Sequence, residues 1–127
     1  MIILGHELIP FNPLYKVTKI EDVKRTEPNS TILFDFIDKK VLEYCKMHDI
    51  SFALHVNDVK EACISNALGA KFIIADYDLS KKIQSIATEY LFDTKVLLAI
   101  EEEIQIELAA ESSIDGVIFK DAIKLIV

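Results

Sequence analysis

Five apolar runs in this chain of 127 residues each end on a side chain able to hold charge or move a proton. Ile32-Leu33-Phe34 runs into Asp35, Phe52-Ala53-Leu54 into His55, and Phe72-Ile73-Ile74-Ala75 into Asp76. Val96-Leu97-Leu98-Ala99-Ile100 runs into Glu101, and Val117-Ile118-Phe119 into Lys120. Clustered carboxylates suit Mg²⁺, a hard cation that prefers oxygen. A lysine beside them would hold an anion or a phosphoryl group. Asp35, Asp38, Asp76 and Lys120 are therefore the sharpest constellation, with Asp35 and Asp76 the pair for a metal and Mg²⁺ the cofactor that pair would take. His55 joins them as a group that titrates near neutrality and ligates metals. A plainer reading covers the same residues. Asp38 caps a helix, Asp35 and Asp76 sit at solvated strand ends, and Lys120 pairs with one of them.

Other residues carry less. His6 follows the first short apolar run and could approach His55, Asp35 and Asp76 if that run lies beside the main sheet. Glu101-Glu102-Glu103 could supply a general acid or base, but acidic residues also favour the first turn of a helix. There is no Gly-x-Ser-x-Gly, no Gly-x-Gly-x-x-Gly and no Gly-x-x-x-x-Gly-Lys, so no nucleophile elbow, dinucleotide turn or phosphate loop is expected. Phe34, Phe36, Phe52, Phe72 and Phe119 fall mostly on strands and are expected in the core.

The elements that must position these residues follow from their interval. Asp35, His55, Asp76, Glu101 and Lys120 recur every 19 to 25 residues. A strand with a return helix takes about that much chain, and parallel strands need such crossovers. Strands are expected over 31–36, 51–56, 71–77, 95–100 and 117–120. Helices are expected from Asp38 to about 48, from an Asn57 cap to about 68 with Gly69 ending it, from an Asp78 or Ser80 cap to about 90, and from Glu101 to about 112. The second of these helices would bury Val59, Ala62, Cys63 and Ala67. Residues 1–30 differ, with short strands at 2–4 and 14–17, helical turns at 20–26, and Pro10, Pro13 and Pro28 between them. Residues 121–127 would form about two helical turns, and the apolar surface near them would be covered by residues 1–30 or by another subunit.

Composition limits the partners. The chain is 51% hydrophobic, enough for a sizeable core, and its length suits one domain. A net charge of −7 argues against nucleic acid and against anionic lipid. Arg25 is the sole arginine, which leaves no guanidinium clamp for phosphate. Cys45 and Cys63 match no zinc spacing and are expected as reduced core residues of a cytoplasmic protein. No apolar run approaches the ~20 residues of a membrane span, and Met1-Ile2-Ile3-Leu4 is too short for a signal peptide.

Two resemblances follow from quoted segments. Ile32-Leu33-Phe34-Asp35-Phe36-Ile37-Asp38, Phe72-Ile73-Ile74-Ala75-Asp76-Tyr77-Asp78 and Asp115-Gly116-Val117-Ile118-Phe119-Lys120 resemble the acidic, phosphoacceptor and lysine segments of receiver domains of two-component signalling, over residues 31–121. That resemblance implies a phosphoacceptor at Asp76. The position after strand four is Ile100 where receivers carry Ser or Thr, no proline follows Lys120, and Asp35 stands without an adjacent acid. The site is thus degenerate as a receiver site. The segments 57–73 and 109–118 are similar to the βα units of phosphate-binding (β/α)8 barrels, which implies a parallel sheet with a different strand order.

The expected architecture is a single α/β domain, a mostly parallel sheet of about five strands with helices on its faces, flavodoxin-like or receiver-like, plus a short N-terminal addition. The alternative is a (β/α)8 half-barrel. The expected function is a non-catalytic binding or assembly module, self-associating as a homo-oligomer. The alternatives are a small Mg²⁺-dependent enzyme or phosphoacceptor using Asp35, Asp76 and Lys120, and a small phosphate-ligand binder served by helix N-termini. Each would act in an open pocket at the carboxyl ends of the strands, lined by Asp35, Asp38, His55, Asp76 and Lys120.

Overall fold

The computed structural model describes residues 1–126. Eight strands form one sheet: β1 (Ile2–Leu4), β2 (Leu14–Lys16), β3 (Thr31–Asp35), β4 (Phe52–His55), β5 (Phe72–Ala75), β6 (Lys95–Ile100), β7 (Gly116–Phe119) and β8 (Ile123–Leu125). Every pairing is parallel, in the order β1-β7-β6-β5-β4-β3-β2-β8. Five α-helices connect them: α1 (Ile20–Val23), α2 (Lys39–Met47), α3 (Val59–Ala67), α4 (Tyr77–Glu89) and α5 (Ile106–Glu111).

The five-stranded flavodoxin-like expectation is overturned. From β3 to β7 each strand pairs with its successor in the chain, so the order never reverses. A flavodoxin-like sheet reverses at its switch point, which is what sends helices to both faces. With right-handed crossovers and no reversal, α2 to α5 all fall on one side. The other side must then be covered by the sheet itself. The sheet is curled, half-barrel in form, which was the second architecture expected. Residues 1–30 are not an appendage to it, since they supply β1 and β2.

The two faces carry two separate apolar clusters. Outward residues such as Ile32, Leu54, Ile73, Val96 and Leu98 pack against Val41, Cys45, Ala62, Ile83 and Ala109 of the helices. Inward residues Leu33, Ala53, Ile74, Leu97 and Ile118 pack with Leu14, Phe11 and Ala122, and among the described residues none from α1 to α5 joins them. Strands buried on both faces read as continuous apolar runs, as Phe72–Ala75 does throughout.

Residues 121–126 are not the helical turns expected. Lys120–Ala122 form one 3-10 turn, and the chain then re-enters the sheet as β8 against β2; the expectation for Val127 lies outside the described residues. β-branched Ile123 suits a pleated surface better than a helix, and its side chain packs against the inner cluster.

The α3 stripe also differs from expectation. Asp58, not Asn57, is the cap, accepting from the Glu61 N–H at 2.8 Å. Glu61, Ala62 and Ser65 are buried, while Cys63 is exposed. Glu61 is tolerated there because its Oε1 accepts from the Asn57 N–H at 2.8 Å. Cys45 is buried and its thiol is pushed up to about 11 by desolvation.

β1 enters beside β7 only because two glycines admit it. Gly5 takes a left-handed φ of 101°, and a Cβ there would lie 2.8 Å from Phe119 Cβ. At Gly116 a Cβ would lie 2.4 Å from the Ile2 carbonyl oxygen. Gly116→Ala is expected to cost more than ~2 kcal/mol, the overpacking range, with loss of amide-exchange protection over Ile2, Ile3 and Leu4. Urea denaturation with hydrogen exchange measures both. Thiol titration at pH 8 is expected to find one reactive cysteine, Cys63, in the native protein and a second only after unfolding. Rapid native reaction of both thiols would contradict the burial of Cys45.

Candidate functional site

The carboxyl ends of the strands form a rim where most of the candidate residues gather. Asp35 closes β3 and His55 closes β4, and the two are direct register partners. His55 Nδ1 lies 3.9 Å from Asp35 Oδ1, both side chains at least half exposed. That spacing is an ion pair when the imidazole is protonated and a loose polar contact when it is not.

Asp38 and Asp76 are held differently. Asp38 Oδ1 accepts from the Val41 N–H at 3.3 Å and caps α2, as the plainer sequence reading has it. Asp76 Oδ1 accepts from the Leu79 N–H at 3.1 Å and caps α4. The expected cap at Asp78 or Ser80 is displaced by two to four positions, because Ser80 is buried and donates its hydroxyl to the Ala75 carbonyl at 2.9 Å. The strand therefore passes into the helix with almost no loop.

Asp35 and Asp76 are separated by β4 and by two residues of register, since Asp35 is level with Ile74, which makes about 12 Å at ~4.8 Å per strand step and ~3.3 Å per residue. Among the described residues no group of three or more His, Cys, Asp or Glu is gathered to hold a metal ion. Lys120 opens the 3-10 turn after β7, exposed, and among the described residues it makes no ion pair. The rim thus brings Asp35 and His55 together, keeps Asp38 beside Asp35 in one cleft, its N–H donating to the Asp35 carbonyl at 3.1 Å, and leaves Asp76 and Lys120 apart from them.

His6 does not join them either. β1 does lie beside the main sheet, but next to β7. His6 Nδ1 accepts from the Leu8 N–H at 3.1 Å, which puts the ring proton on Nε2, 3.7 Å from Glu103 Oε1. Its ring meets Phe119 edge-on at 6.0 Å. Glu102 is the N-cap of a 3-10 turn over Glu103–Gln105, where the helix expected from Glu101 begins two residues late, and the Glu101 and Glu102 backbone N–H groups both donate to Gln105 Oε1 at 2.8 Å.

Sequence reasoning missed Lys16. It ends β2 as Asp35 ends β3, and it stands on the inward side in register with Leu33 and Leu125. Lys16, Asp35 and His55 line a cavity of about 160 Å³ together with Leu33, Phe34 and Ile123. A wider cleft of about 530 Å³ shares Lys16 and Asp35 and runs outward past Thr18 and Ile37 to Asp38, Lys39 and Lys40. The loop carrying Lys16 onward is fixed by Asp22, which takes 3.1 Å hydrogen bonds from the Thr18 N–H and hydroxyl. The backbone donor holds the Asp22 carboxyl below its ordinary value. A signal for Lys16 existed: Leu14-Tyr15-Lys16 is the same apolar-run-then-charge pattern, in a shorter strand.

The chain matches no protein-family model and no curated protein.

Replacing Asp76 by alanine is expected to lower stability by about 1 kcal/mol, the usual value of an N-cap, while Asp76→Asn, which still accepts the Leu79 N–H, stays within a few tenths. Urea unfolding of both variants checks this. Equal losses for Ala and Asn would mean the negative charge, not the cap, is what matters.

Proposed function

We propose that this protein is a non-catalytic binding module that takes a small polar molecule in the rim pocket between β2, β3, β4 and β8. The observation that carries the reading is the cavity itself. It opens where parallel α/β sheets hold their ligands, and it sets a cation, a carboxylate and an imidazole over the apolar side chains of Leu33 and Ile123. Few convergent polar groups on an apolar base is the ordinary make-up of a small-molecule site.

The non-catalytic part draws on what the other acids do. Asp76 stands where a receiver would carry its phosphoacceptor, and its carboxylate is engaged by the first turn of α4. Asp38 is engaged by α2 in the same way. Each spends one carboxylate oxygen on a helix start, which accounts for its place at a strand end without a catalytic role. A reducing, cytoplasmic setting agrees with two unpaired cysteines, one of them exposed.

An amide NMR screen with mixtures of small polar fragments tests the reading. Saturable shifts are expected to concentrate on Lys16, Leu33, Asp35, His55 and Ile123. Fragments that instead cluster on the outer helix faces, or shift nothing at the rim, would overturn it. Saturable shifts at Asp76 and Lys120 on adding Mg²⁺ with beryllofluoride would favour the phosphoacceptor instead.

A further inference from the structure

We propose that the rim pocket is selective for a small zwitterion of the amino-acid type, its carboxylate on Lys16 and its ammonium on Asp35 and His55. The inference rests on that pocket being the binding site and adds the class of ligand.

The charges that line the cavity are opposite and unmatched by a third. Lys16 is the sole cation of fixed charge on its wall and Asp35 the sole carboxylate. A simple anion drawn to Lys16 would be pressed against Asp35. A simple cation drawn to Asp35 would be pressed against Lys16. Only a ligand carrying both signs satisfies both walls. Among the described residues neither side chain is committed elsewhere: Lys16 makes no ion pair, and the contact of Asp35 with His55 is 3.9 Å, too long for a hydrogen bond. His55 beside Asp35 adds an acceptor for an ammonium N–H when the imidazole is neutral.

Size narrows the class further. About 160 Å³ is room for about five water molecules at ~30 Å³ each. That seats an amino acid with a small side chain, whereas a nucleotide or a sugar phosphate would have to spread into the wider cleft that shares Lys16 and Asp35. Leu33 and Ile123 at the base suit a methyl or methylene. The rim is open to solvent and Asp35 and His55 are at least half exposed, so each ion pair is weak and affinity in the millimolar range is expected.

The test is amide NMR on the full chain with L-alanine, acetate and methylammonium at matched ionic strength. Alanine is expected to move the Leu33, Asp35, His55 and Ile123 amides along a saturating curve. Acetate and methylammonium, each carrying one half of the charge pattern, are expected to bind at least tenfold more weakly. Lys16→Met and Asp35→Asn, both at exposed positions, are each expected to weaken alanine binding about tenfold or more while leaving the rest of the spectrum in place. Acetate saturating as tightly as alanine, or Asp35→Asn leaving alanine affinity unchanged, would overturn the zwitterion assignment. If none of the three ions moves the rim while neutral fragments do, the assignment falls and the pocket stands. If nothing moves the rim, both fall.

Discussion

Phe119 ends β7 and Ile123 begins β8, and four residue steps can span at most ~14 Å. In the sheet those strands lie six steps apart, which on a flat surface is about 29 Å at ~4.8 Å per step. The link between them closes the difference: the sheet has to curl until its two edges approach. Nearly everything else follows from that short connection. The inward side chains cover one another instead of needing a second layer of helices. The β1 strand can pass from beside β7 to β2 through only residues 5–13. The close contact at the turn also explains the two glycines. A chain forced through Lys120–Ala122 brings Phe119 and Ala122 onto Gly5, and β7 brings Ile2 onto Gly116, in each case closer than a Cβ would permit.

Curling sorts the polar groups between the two ends of the sheet. At the amino ends of the strands they are buried and matched. Thr94 donates to the Ala70 carbonyl at 2.6 Å, Asp115 accepts from the Val96 N–H at 2.9 Å, and Gln84 accepts from the Asp115 N–H at 2.8 Å. Such groups fix strand register, and leaving any one unpaired would cost its full desolvation. At the carboxyl ends the acids mostly serve helix starts: Asp38, Asp58 and Asp76 each accept from the N–H three positions on. Once those are assigned, Asp35, His55 and Lys16 stand inward at the rim, and among the described residues their side chains make no hydrogen bond. The pocket is what remains at the rim after the fold has used the rest.

The sequence located strand ends well because each apolar run stops where side chains meet water. The Asp38 cap and the left-handed Gly69, at φ 84°, were legible for the same local reason. Strand order was not, since an interval of about 20 residues serves a reversing sheet and a monotonic one equally. The reversal is a tertiary choice with no residue to mark it. The C-terminal segment misled because Ala122, Ile123 and Ile126 fall at helical spacing, while what decides its state is a vacant edge beside β2. Asp76 misled in a different way. A carboxylate at a strand end reads as a site residue, and only the immediate start of α4 turns it into a cap. Lys16 escapes the pattern because the strand expected over 14–17 ends on Val17, whereas the observed strand stops at Lys16 and makes the lysine its terminal residue.

The position of the pocket is not accidental with respect to the seam. β1, β2 and β8 are the three shortest strands, each of three residues, and β1 and β8 are the two free edges. Short strands hold few ladder bonds, and regions with few buried contacts and few protected bonds open first. Lys16 and Ile123 belong to two of these strands, whereas Asp35 and His55 stand on β3 and β4 in the interior of the sheet. One wall of the cavity is therefore rigid and the other is carried by the least anchored part of the molecule. A ligand bridging Lys16 to Asp35 would tie the weak wall to the strong one. Binding there would stabilise the seam by linkage, so that occupancy of a site this small could be felt along the whole edge formed by β2 and β8.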